Sequence, residues 1–108
     1  MEPIQQATPE QIHHRLQNGE NLLLIDVREP EEIAVAALPA ARVYPLSRAE
    51  EWIDSLPKDR PLVIFCHHGI RSMHVARVLV DRGYRNITNL AGGIDLWSAQ
   101  VDPSVPRY

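Results

Sequence analysis

The fold is decided by residues 62–73, which read LVIFCHHGIRSM. The first four, Leu62–Phe65, are all apolar, and a short run without polar alternation is typical of a strand buried on both faces. A polar loop with one glycine follows, and an apolar stripe over residues 75–80 then predicts a helix. A buried strand, a glycine loop and a helix in this order indicate a parallel sheet covered by helices.

Cys66 is the only cysteine, and it stands at the carboxyl end of the predicted strand, just before the predicted helix. Unpaired N–H groups and the positive end of the helix dipole meet a side chain at that place. They favour a thiolate and can lower a cysteine pKa from about 8.5 into roughly the 3.5–7.5 range. A buried core residue is the alternative reading, but the adjacent glycine loop and the cationic Arg71 favour a nucleophile.

Further strands and helices alternate along the chain. Apolar runs predict strands at residues 22–27, 43–44 and 86–90 besides residues 62–65, with helical stretches between them. Such alternation, joined by short turns, indicates an α/β fold with a central, mostly parallel sheet of about five strands and helices on both faces. Ligands of such sheets bind beyond the carboxyl ends of the strands, which is where Cys66 is expected.

Length and composition suit a single domain. The chain has 108 residues, 44% hydrophobic and 23% charged, and residues 101–108 are expected to form an extended tail. A net charge of −3 argues against nucleic acid or an acidic membrane surface as a partner. One cysteine excludes an internal disulfide and fits a reducing compartment. Without signal-peptide features or an apolar run of ~20 residues, we expect a cytoplasmic protein outside the membrane.

Four short motifs are spread over most of the chain. They are Asp26-Val27-Arg28 with Glu32, Leu38-Pro39, the loop from Cys66 to Ser72, and Leu90-Ala91-Gly92-Gly93-Ile94-Asp95-Leu96-Trp97. In this combination and spacing they resemble the single-domain rhodanese family. The resemblance implies a rhodanese-like α/β fold and an enzyme that transfers sulfane sulfur from a donor such as thiosulfate to a thiophilic acceptor.

The resemblance also implies roles for the loop. Cys66 would carry the sulfur as a persulfide, and the substrate-binding cradle would consist of His67, His68, Gly69, Ile70, Arg71 and Ser72. The reaction would be ping-pong, with a small-molecule donor and with cyanide, a thiol or a protein as acceptor, and without a metal or organic cofactor. A metal at the two histidines is disfavoured, because adjacent residues rarely converge on one ion and no second cysteine closes a zinc site.

Three residues of the loop allow a physical interpretation of their own. The Arg71 guanidinium could hold the oxygens of thiosulfate, and a salt bridge with a nearby carboxylate is the alternative. Ser72 could donate a hydrogen bond to the sulfur, although capping of the helix is favoured. Gly69 is expected to let the backbone curl so that several N–H groups point at one place.

Three charged residues are expected near the site in structural roles. Asp26 and Arg28 end a neighbouring predicted strand at the same edge of the sheet as Cys66. We expect Arg28 to pair with Glu32 or Glu31 as part of the scaffold, because isolated charge pairs are usually structural.

The chain departs from the family at residues 36–41. Many members read Gly-His-Ile-Pro-Gly-Ala there, whereas this chain reads AALPAA, with Ala36, Ala37 and Ala40 in place of glycine, histidine and glycine. Because alanine disfavours left-handed backbone, we expect the local turn to differ. The two histidines after the cysteine match neither the two-domain thiosulfate enzymes nor the mercaptopyruvate enzymes, so the identity of the donor stays open.

Other functions use a related loop. Phosphatases and arsenate reductases also carry a nucleophilic cysteine, but four residues separate Cys66 from Arg71, and the phosphatase pattern has one residue more. The loop also contains no carboxylate that could protonate a leaving oxygen. A non-catalytic binding module is the remaining alternative, and the presence of Cys66 counts against it.

Overall fold

The structure, a computed structural model, describes residues 3–108. In that part of the chain the strands are β1 (Ile4–Ala7), β2 (Leu23–Asp26), β3 (Arg42–Val43), β4 (Leu62–Phe65) and β5 (Ile87–Leu90). The helices are α1 (Pro9–Gln17), α2 (Pro30–Val35), α3 (Ala49–Trp52, preceded by a 3-10 turn at Leu46–Arg48), α4 (Ile70–Asp81) and α5 (Gly93–Gln100). Of these described helices the longest, α4, has 12 residues, and none is long and apolar enough to cross a membrane.

The strands form one sheet in the order β1-β5-β4-β2-β3, and every neighbouring pair is parallel. The predicted α/β fold with a five-stranded sheet is therefore confirmed, and the sheet is parallel throughout. β4 lies at its centre, where Ile64 pairs with Ile25 of β2 on one side and with Asn89 of β5 on the other. The strand that the sequence analysis missed is β1, at one edge of the sheet.

Helices cover both faces of the sheet, and each face has its own hydrophobic core. Successive side chains of β4 point to opposite faces and enter the two cores in turn. Leu62 and Ile64 pack with α3 and α4, whereas Val63 and Phe65 pack with α1 and α5. All four side chains are at most 1% exposed. Burial of one such side chain contributes about 1.5–3 kcal/mol to the stability of the fold. The side chains of the central strand therefore stabilise the packing of helices on both faces of the sheet.

The carboxyl edge of the sheet gathers the segments that follow β2, β4 and β5. Asp26, the last residue of β2, pairs in register with Phe65, the last residue of β4. Residues 101–108 form turns and irregular backbone that lead back towards this edge. Val105 is buried in the cluster beneath α1 and α5, and the ring of Tyr108 stacks on His67 beside the cysteine loop.

Candidate active site at the carboxyl edge of the sheet

Cys66 directly follows β4 and is 1% exposed. Gly69 turns the chain into α4 as its N-cap residue, with φ +104°, a left-handed conformation that glycine adopts readily. Because of this turn, the backbone N–H groups of Gly69 and Ser72 donate to Sγ of Cys66 at 3.1 and 3.4 Å. We refer to these donors as the N–H cradle of the sulfur.

The surroundings of Cys66 act on its acidity in opposite directions. Burial raises the pKa of the thiol, because a thiolate loses its water. Hydrogen bonds from the backbone N–H groups of Ser72, Gly69 and His68 stabilise the thiolate, and the pKa lies below its ordinary value. The N-terminus of α4 adds the positive end of a helix dipole.

Ser72 lies in the first turn of α4 and is fully buried. Its Oγ is 3.4 Å from Sγ of Cys66 and donates to Oδ1 of Asn89 at 2.6 Å. The N-cap of α4 is Gly69, so the capping role that the sequence favoured for Ser72 is wrong. The side chain instead joins the sulfur to β5 through Asn89.

Arg71 reaches from α4 to α2, where Nη1 and Nη2 donate to the two carboxylate oxygens of Glu32 at 2.6 and 2.8 Å. This ion pair lowers the pKa of Glu32 to about 2 and raises the pKa of Arg71. The negative charge of Cys66 raises the pKa of Arg71 further. Arg71 therefore forms the salt bridge that was the alternative to binding thiosulfate. Its positive charge still interacts with the sulfur of Cys66.

Arg28 forms its ion pair with Asp26 and not with the carboxylate of Glu32 or Glu31, so that prediction was wrong. Its Nε and Nη2 donate to the two oxygens of Asp26 at 2.9 and 2.6 Å, and Nη2 also donates to the carbonyl of Ala36 at 2.8 Å. Both side chains are at most 1% exposed. A buried guanidinium needs a buried carboxylate, whereas Glu32 is taken by the arginine of the cysteine loop.

The segment that departs from the family needs no left-handed backbone. Ala36 is extended, with φ −153° and ψ 138°. Within residues 3–108, positive φ occurs at glycines alone. Ala37 and Ala40 are exposed, whereas Ala36 is buried and offers its carbonyl to Arg28. Ala36 is thus extended, and a turn closed by the hydrogen bond from the Ala41 N–H to the Leu38 carbonyl follows, with no left-handed backbone at any alanine of this segment.

The two histidines lie at the rim, and a tyrosine missed by the sequence analysis joins them. The His67 ring lies between His68 and Tyr108, with centroids 3.8 Å from each. The Tyr108 hydroxyl donates to Glu32 at 2.7 Å and accepts from Nη1 of Arg28 at 3.0 Å. A single tyrosine in an irregular tail carries no periodic signal, so sequence patterns could not find it.

The same histidines and Asp95 place potential metal-ligand atoms within 4.8 Å of one another. Within residues 3–108, Nε2 of His67 is a buried atom without a hydrogen-bond partner. Both oxygens of Asp95, however, accept hydrogen bonds from Arg107 at 3.0 and 2.9 Å. A metal would have to displace Arg107, so we assign the Asp95 carboxylate to this ion pair.

The first turn of α5 supports the cysteine loop. The N–H groups of Ile94 and Asp95 donate to the carbonyls of Cys66 and His67 at 2.9 and 3.1 Å. Gly93 makes this approach possible, because a Cβ at its position would lie 2.5 Å from both carbonyl oxygens. The sequence analysis named Gly93 only as part of a motif, and its close contact explains why glycine is needed.

Ile70, like the two histidines, lies at the rim of the site. It is the first residue of α4, and its side chain is 81% exposed, next to a cysteine that is 1% exposed. The side chain therefore faces solvent at the rim of the site rather than the sulfur.

Comparisons with known proteins identify the family. The family model described as Rhodanese-like domain matches residues 8–100, so the chain belongs to the rhodanese-like domain family. A protein of Allochromatium vinosum named sulfurtransferase is 35% identical over 102 residues, which cover 94% of this chain and 95% of the relative. The chloroplastic Rhodanese-like/PpiC domain-containing protein 12 of Arabidopsis thaliana is 37% identical over 114 residues. That match covers 99% of this chain but only 38% of the longer relative.

Solved structures agree with the family assignment. The crystal structure of a rhodanese-related protein from Thermoplasma volcanium superposes with a TM-score of 0.82 at 25% sequence identity, covering 96% of this chain and 99% of that chain. The resemblance inferred from the sequence motifs is confirmed. Family and relatives support an enzyme of the rhodanese type, a sulfurtransferase.

Proposed function

We propose that this protein moves sulfane sulfur from a donor such as thiosulfate to cyanide or a thiol through a persulfide on Cys66. The observation that carries the proposal is the N–H cradle, in which Gly69 and Ser72 donate to the sulfur at 3.1 and 3.4 Å. Converging N–H groups stabilise negative charge, which a thiolate and a persulfide both carry. Membership of the rhodanese-like family supports the same class of reaction.

In the first half-reaction, the Cys66 thiolate attacks the outer sulfur of thiosulfate. A bond forms between the two sulfur atoms, the sulfur–sulfur bond of thiosulfate breaks, and sulfite leaves with the electron pair. The terminal sulfur of the persulfide remains negative and would accept hydrogen bonds from the N–H cradle. Arg71 would bind the oxygens of the donor, because a guanidinium binds oxyanions through paired hydrogen bonds. To do so it would exchange the Glu32 carboxylate for the oxygens of thiosulfate.

In the second half-reaction, the acceptor attacks the terminal sulfur of the persulfide. With cyanide, a carbon–sulfur bond forms, the sulfur–sulfur bond breaks, and thiocyanate leaves while the Cys66 thiolate returns. The two steps make the kinetics ping-pong and need no metal or organic cofactor. A protein acceptor would meet the exposed Ile70 at the rim. A reducing compartment such as the cytoplasm suits the reaction, because the thiol must stay reduced.

Intact-mass measurement tests the proposal. After incubation with thiosulfate, the protein should gain the mass of one sulfur atom, and cyanide should remove that mass and release thiocyanate. Because Cys66 is the only cysteine, the Cys66→Ser variant should gain nothing while keeping its unfolding midpoint. Thiocyanate production that persists in Cys66→Ser would refute the mechanism.

An assay of aryl phosphate hydrolysis distinguishes a sulfurtransferase from a phosphatase. A phosphatase needs an acid to protonate the leaving oxygen. Near the cysteine loop, Glu32 is bound by Arg71 with a pKa of about 2, and Asp26 is bound by Arg28. The Glu32 carboxylate, with so low a pKa, holds no proton to give near neutral pH, and the carboxylates of Asp26 and Asp95 are each bound by an arginine. We therefore expect no aryl phosphate hydrolysis under conditions in which thiosulfate is consumed.

A further inference from the structure

Asn89 of β5 occupies a polar position beside the sulfur, and it is 3% exposed. Its Nδ2 donates to the carbonyl of Gly69 at 3.2 Å and to Oε1 of Gln6 at 3.0 Å. Because a backbone carbonyl can only accept, the amide atom that faces Gly69 must be the nitrogen. The remaining amide atom, Oδ1, therefore faces Oγ of Ser72 at 2.6 Å.

This orientation decides where the proton of the Ser72 hydroxyl lies. An amide oxygen only accepts, so Ser72 must be the donor to Asn89. A hydroxyl has a single proton, and none is left for Sγ of Cys66 at 3.4 Å. The lone pairs of Oγ remain free, and they can accept a hydrogen bond from the thiol.

We propose that Asn89 fixes the direction of the Ser72 hydroxyl, so that Ser72 accepts from the Cys66 thiol and donates nothing to the sulfur. Asn89 is then a positioning residue that acts on Cys66 through Ser72. This assignment deepens the proposed sulfur transfer and rests on it for its functional meaning. The geometry alone determines the direction of the hydrogen bonds.

The hydrogen bonds among Ser72, Asn89 and Gly69 also oppose rotation of the Ser72 hydroxyl towards a Cys66 thiolate. Ser72 would have to leave Asn89, and Oδ1 would remain unpaired where the side chain is 3% exposed. The penalty of an unpaired buried acceptor offsets the gain from a hydrogen bond to a charged group, and the shorter contact of Oγ, 2.6 Å to Oδ1 of Asn89 against 3.4 Å to Sγ, keeps the proton on the side of Asn89. The thiolate is therefore stabilised by the backbone N–H groups and not by the Ser72 hydroxyl. Because nucleophilicity falls as the pKa of a thiol falls, a thiolate without the additional hydrogen bond keeps more of its nucleophilicity.

Other groups also influence the sulfur and have to be kept constant. The charged and titratable groups around it are Arg71 with Glu32, the Asp26–Arg28 pair, His67 and His68. Asn89 itself also holds Gly69, whose N–H belongs to the cradle. Replacing Asn89 alone therefore changes two contacts at once, and the informative quantity is the effect of Ser72→Ala with and without Asn89.

The experiment follows the rate of Cys66 alkylation by iodoacetamide against pH, without any sulfur donor. It compares the unchanged protein with Ser72→Ala, Asn89→Ala and the double variant. In the unchanged background, Ser72→Ala should not raise the midpoint, because Ser72 gives the thiolate no hydrogen bond. In the Asn89→Ala background the hydroxyl is free to donate, so adding Ser72→Ala should raise the midpoint by about one pKa unit.

Ser98→Ala is the matched control, because Ser98 is also a buried helical serine and donates to the carbonyl of Val105, away from the sulfur. It should leave the midpoint unchanged. A rise caused by Ser72→Ala in the unchanged background overturns the proposal, and so does the absence of a rise in the Asn89→Ala background. The first comparison alone decides the direction of the hydrogen bond if Asn89→Ala does not fold.

The alkylation readout also separates this inference from the proposed function. Alkylation reports the ionisation of Cys66 and needs no transfer of sulfur. A protein that shows the expected midpoints but gains no sulfur from thiosulfate would refute the proposed function and leave the role of Asn89 intact. A protein that transfers sulfur, but in which Ser72→Ala raises the alkylation midpoint, would refute the role of Asn89 and leave the proposed function intact.

Discussion

Glu32 binds Arg71 through both of its carboxylate oxygens, at 2.6 and 2.8 Å. The arginine of the cysteine loop is thereby tied to α2, a helix that follows a different strand. The same carboxylate accepts a hydrogen bond from the Tyr108 hydroxyl at 2.7 Å. One carboxylate therefore joins α2, α4 and the tail, and it sets where the positive charge beside the sulfur can reach.

Arg71→Ala should raise both the KM for thiosulfate and the midpoint of Cys66 alkylation. The substitution removes a positive charge from the vicinity of the thiolate and of the donor. Because hydrogen bonds to charged groups contribute about 1.5–3 kcal/mol, and Arg71 is partly exposed, we expect a rise in KM of roughly tenfold. Initial rates of thiocyanate formation at varied thiosulfate measure this.

Arg77→Ala provides the control for that prediction, since Arg77 is exposed on the same helix. It removes the same charge from α4 and should change neither KM nor the alkylation midpoint. If the two variants behaved alike, Arg71 would serve only its salt bridge with Glu32.

The pairing of Glu32 should make stability depend on pH in acid. Arg71 lowers the pKa of Glu32 from its ordinary 4.5 to about 2, so the unfolded chain takes up the proton first as the pH falls. The contribution to stability is therefore full above pH 4.5 and is lost progressively as the pH falls towards 2. The urea midpoint of the unchanged protein should exceed that of Glu32→Gln by more at pH 6 than at about pH 3.

The cause of this pH dependence can be checked in a second background. With Arg71→Ala already present, Glu32 lacks the partner that lowers its pKa most. Adding Glu32→Gln should then change the urea midpoint by nearly the same amount at both pH values, because only the weaker hydrogen bonds from Tyr108 and from the Glu29 backbone still lower the pKa of Glu32. A pH dependence that survives the loss of Arg71 would point to another cause.

Local patterns in the sequence predicted the three inner strands and the edge strand β3, but not β1 at the other edge. Leu62–Phe65 is apolar throughout, because both faces of a central strand are covered. Ile4–Ala7 buries only its two ends, and its polar middle residues are exposed. The side chain of Gln6 is also joined to that of Asn89, 83 residues away. Pairing over such a distance leaves no periodicity within a short window.

In the site, the sequence predicted where the cysteine lies but not which carboxylates the arginines bind. The position of Cys66 follows from local rules, since a strand, a glycine and a helix N-terminus are contiguous. The partners of the two arginines do not, because Asp26 and Glu32 are both near enough and of the same charge. Burial makes the choice: Arg28 is fully buried and takes the buried Asp26, whereas the partly exposed Arg71 takes Glu32.

Asp26→Asn should destabilise the folded protein strongly. The substitution leaves the guanidinium of Arg28 without a counter-charge at a position that is 0% exposed. Removing one partner of a buried ion pair costs about 3–5 kcal/mol, because the other charge remains in a poor solvent. Urea unfolding monitored by circular dichroism measures the loss.

The control for the buried pair is an exposed one. Arg48 and Glu51 form an ion pair at the surface, with side chains 64% and 58% exposed. Because exposed pairs contribute little, Glu51→Gln should leave the urea midpoint nearly unchanged. Equal effects of Asp26→Asn and Glu51→Gln would show that burial does not govern the strength of these pairs.

Gly93→Ala should damage both the fold and sulfur transfer, and Gly19→Ala separates the two reasons. Gly93 has φ +60° and Gly19 has φ +83°, so alanine is strained at either position, by about 1–2 kcal/mol. Among the described residues, a Cβ at Gly19 would meet nothing within 4 Å. A Cβ at Gly93 would lie 2.5 Å from the carbonyl oxygens of Cys66 and His67. These are backbone atoms and cannot rotate away.

Gly93→Ala must therefore push the cysteine loop off the N-terminus of α5 and weaken the hydrogen bonds from Ile94 and Asp95. We expect it to lower the urea midpoint further than Gly19→Ala does. We also expect it to reduce thiocyanate formation at least tenfold, because a displacement of about 1 Å in a reacting group costs far more than that. Gly19→Ala should keep full activity. If Gly93→Ala were as active as Gly19→Ala, the sulfur would not depend on α5 for its position, and the support would come from α4 alone.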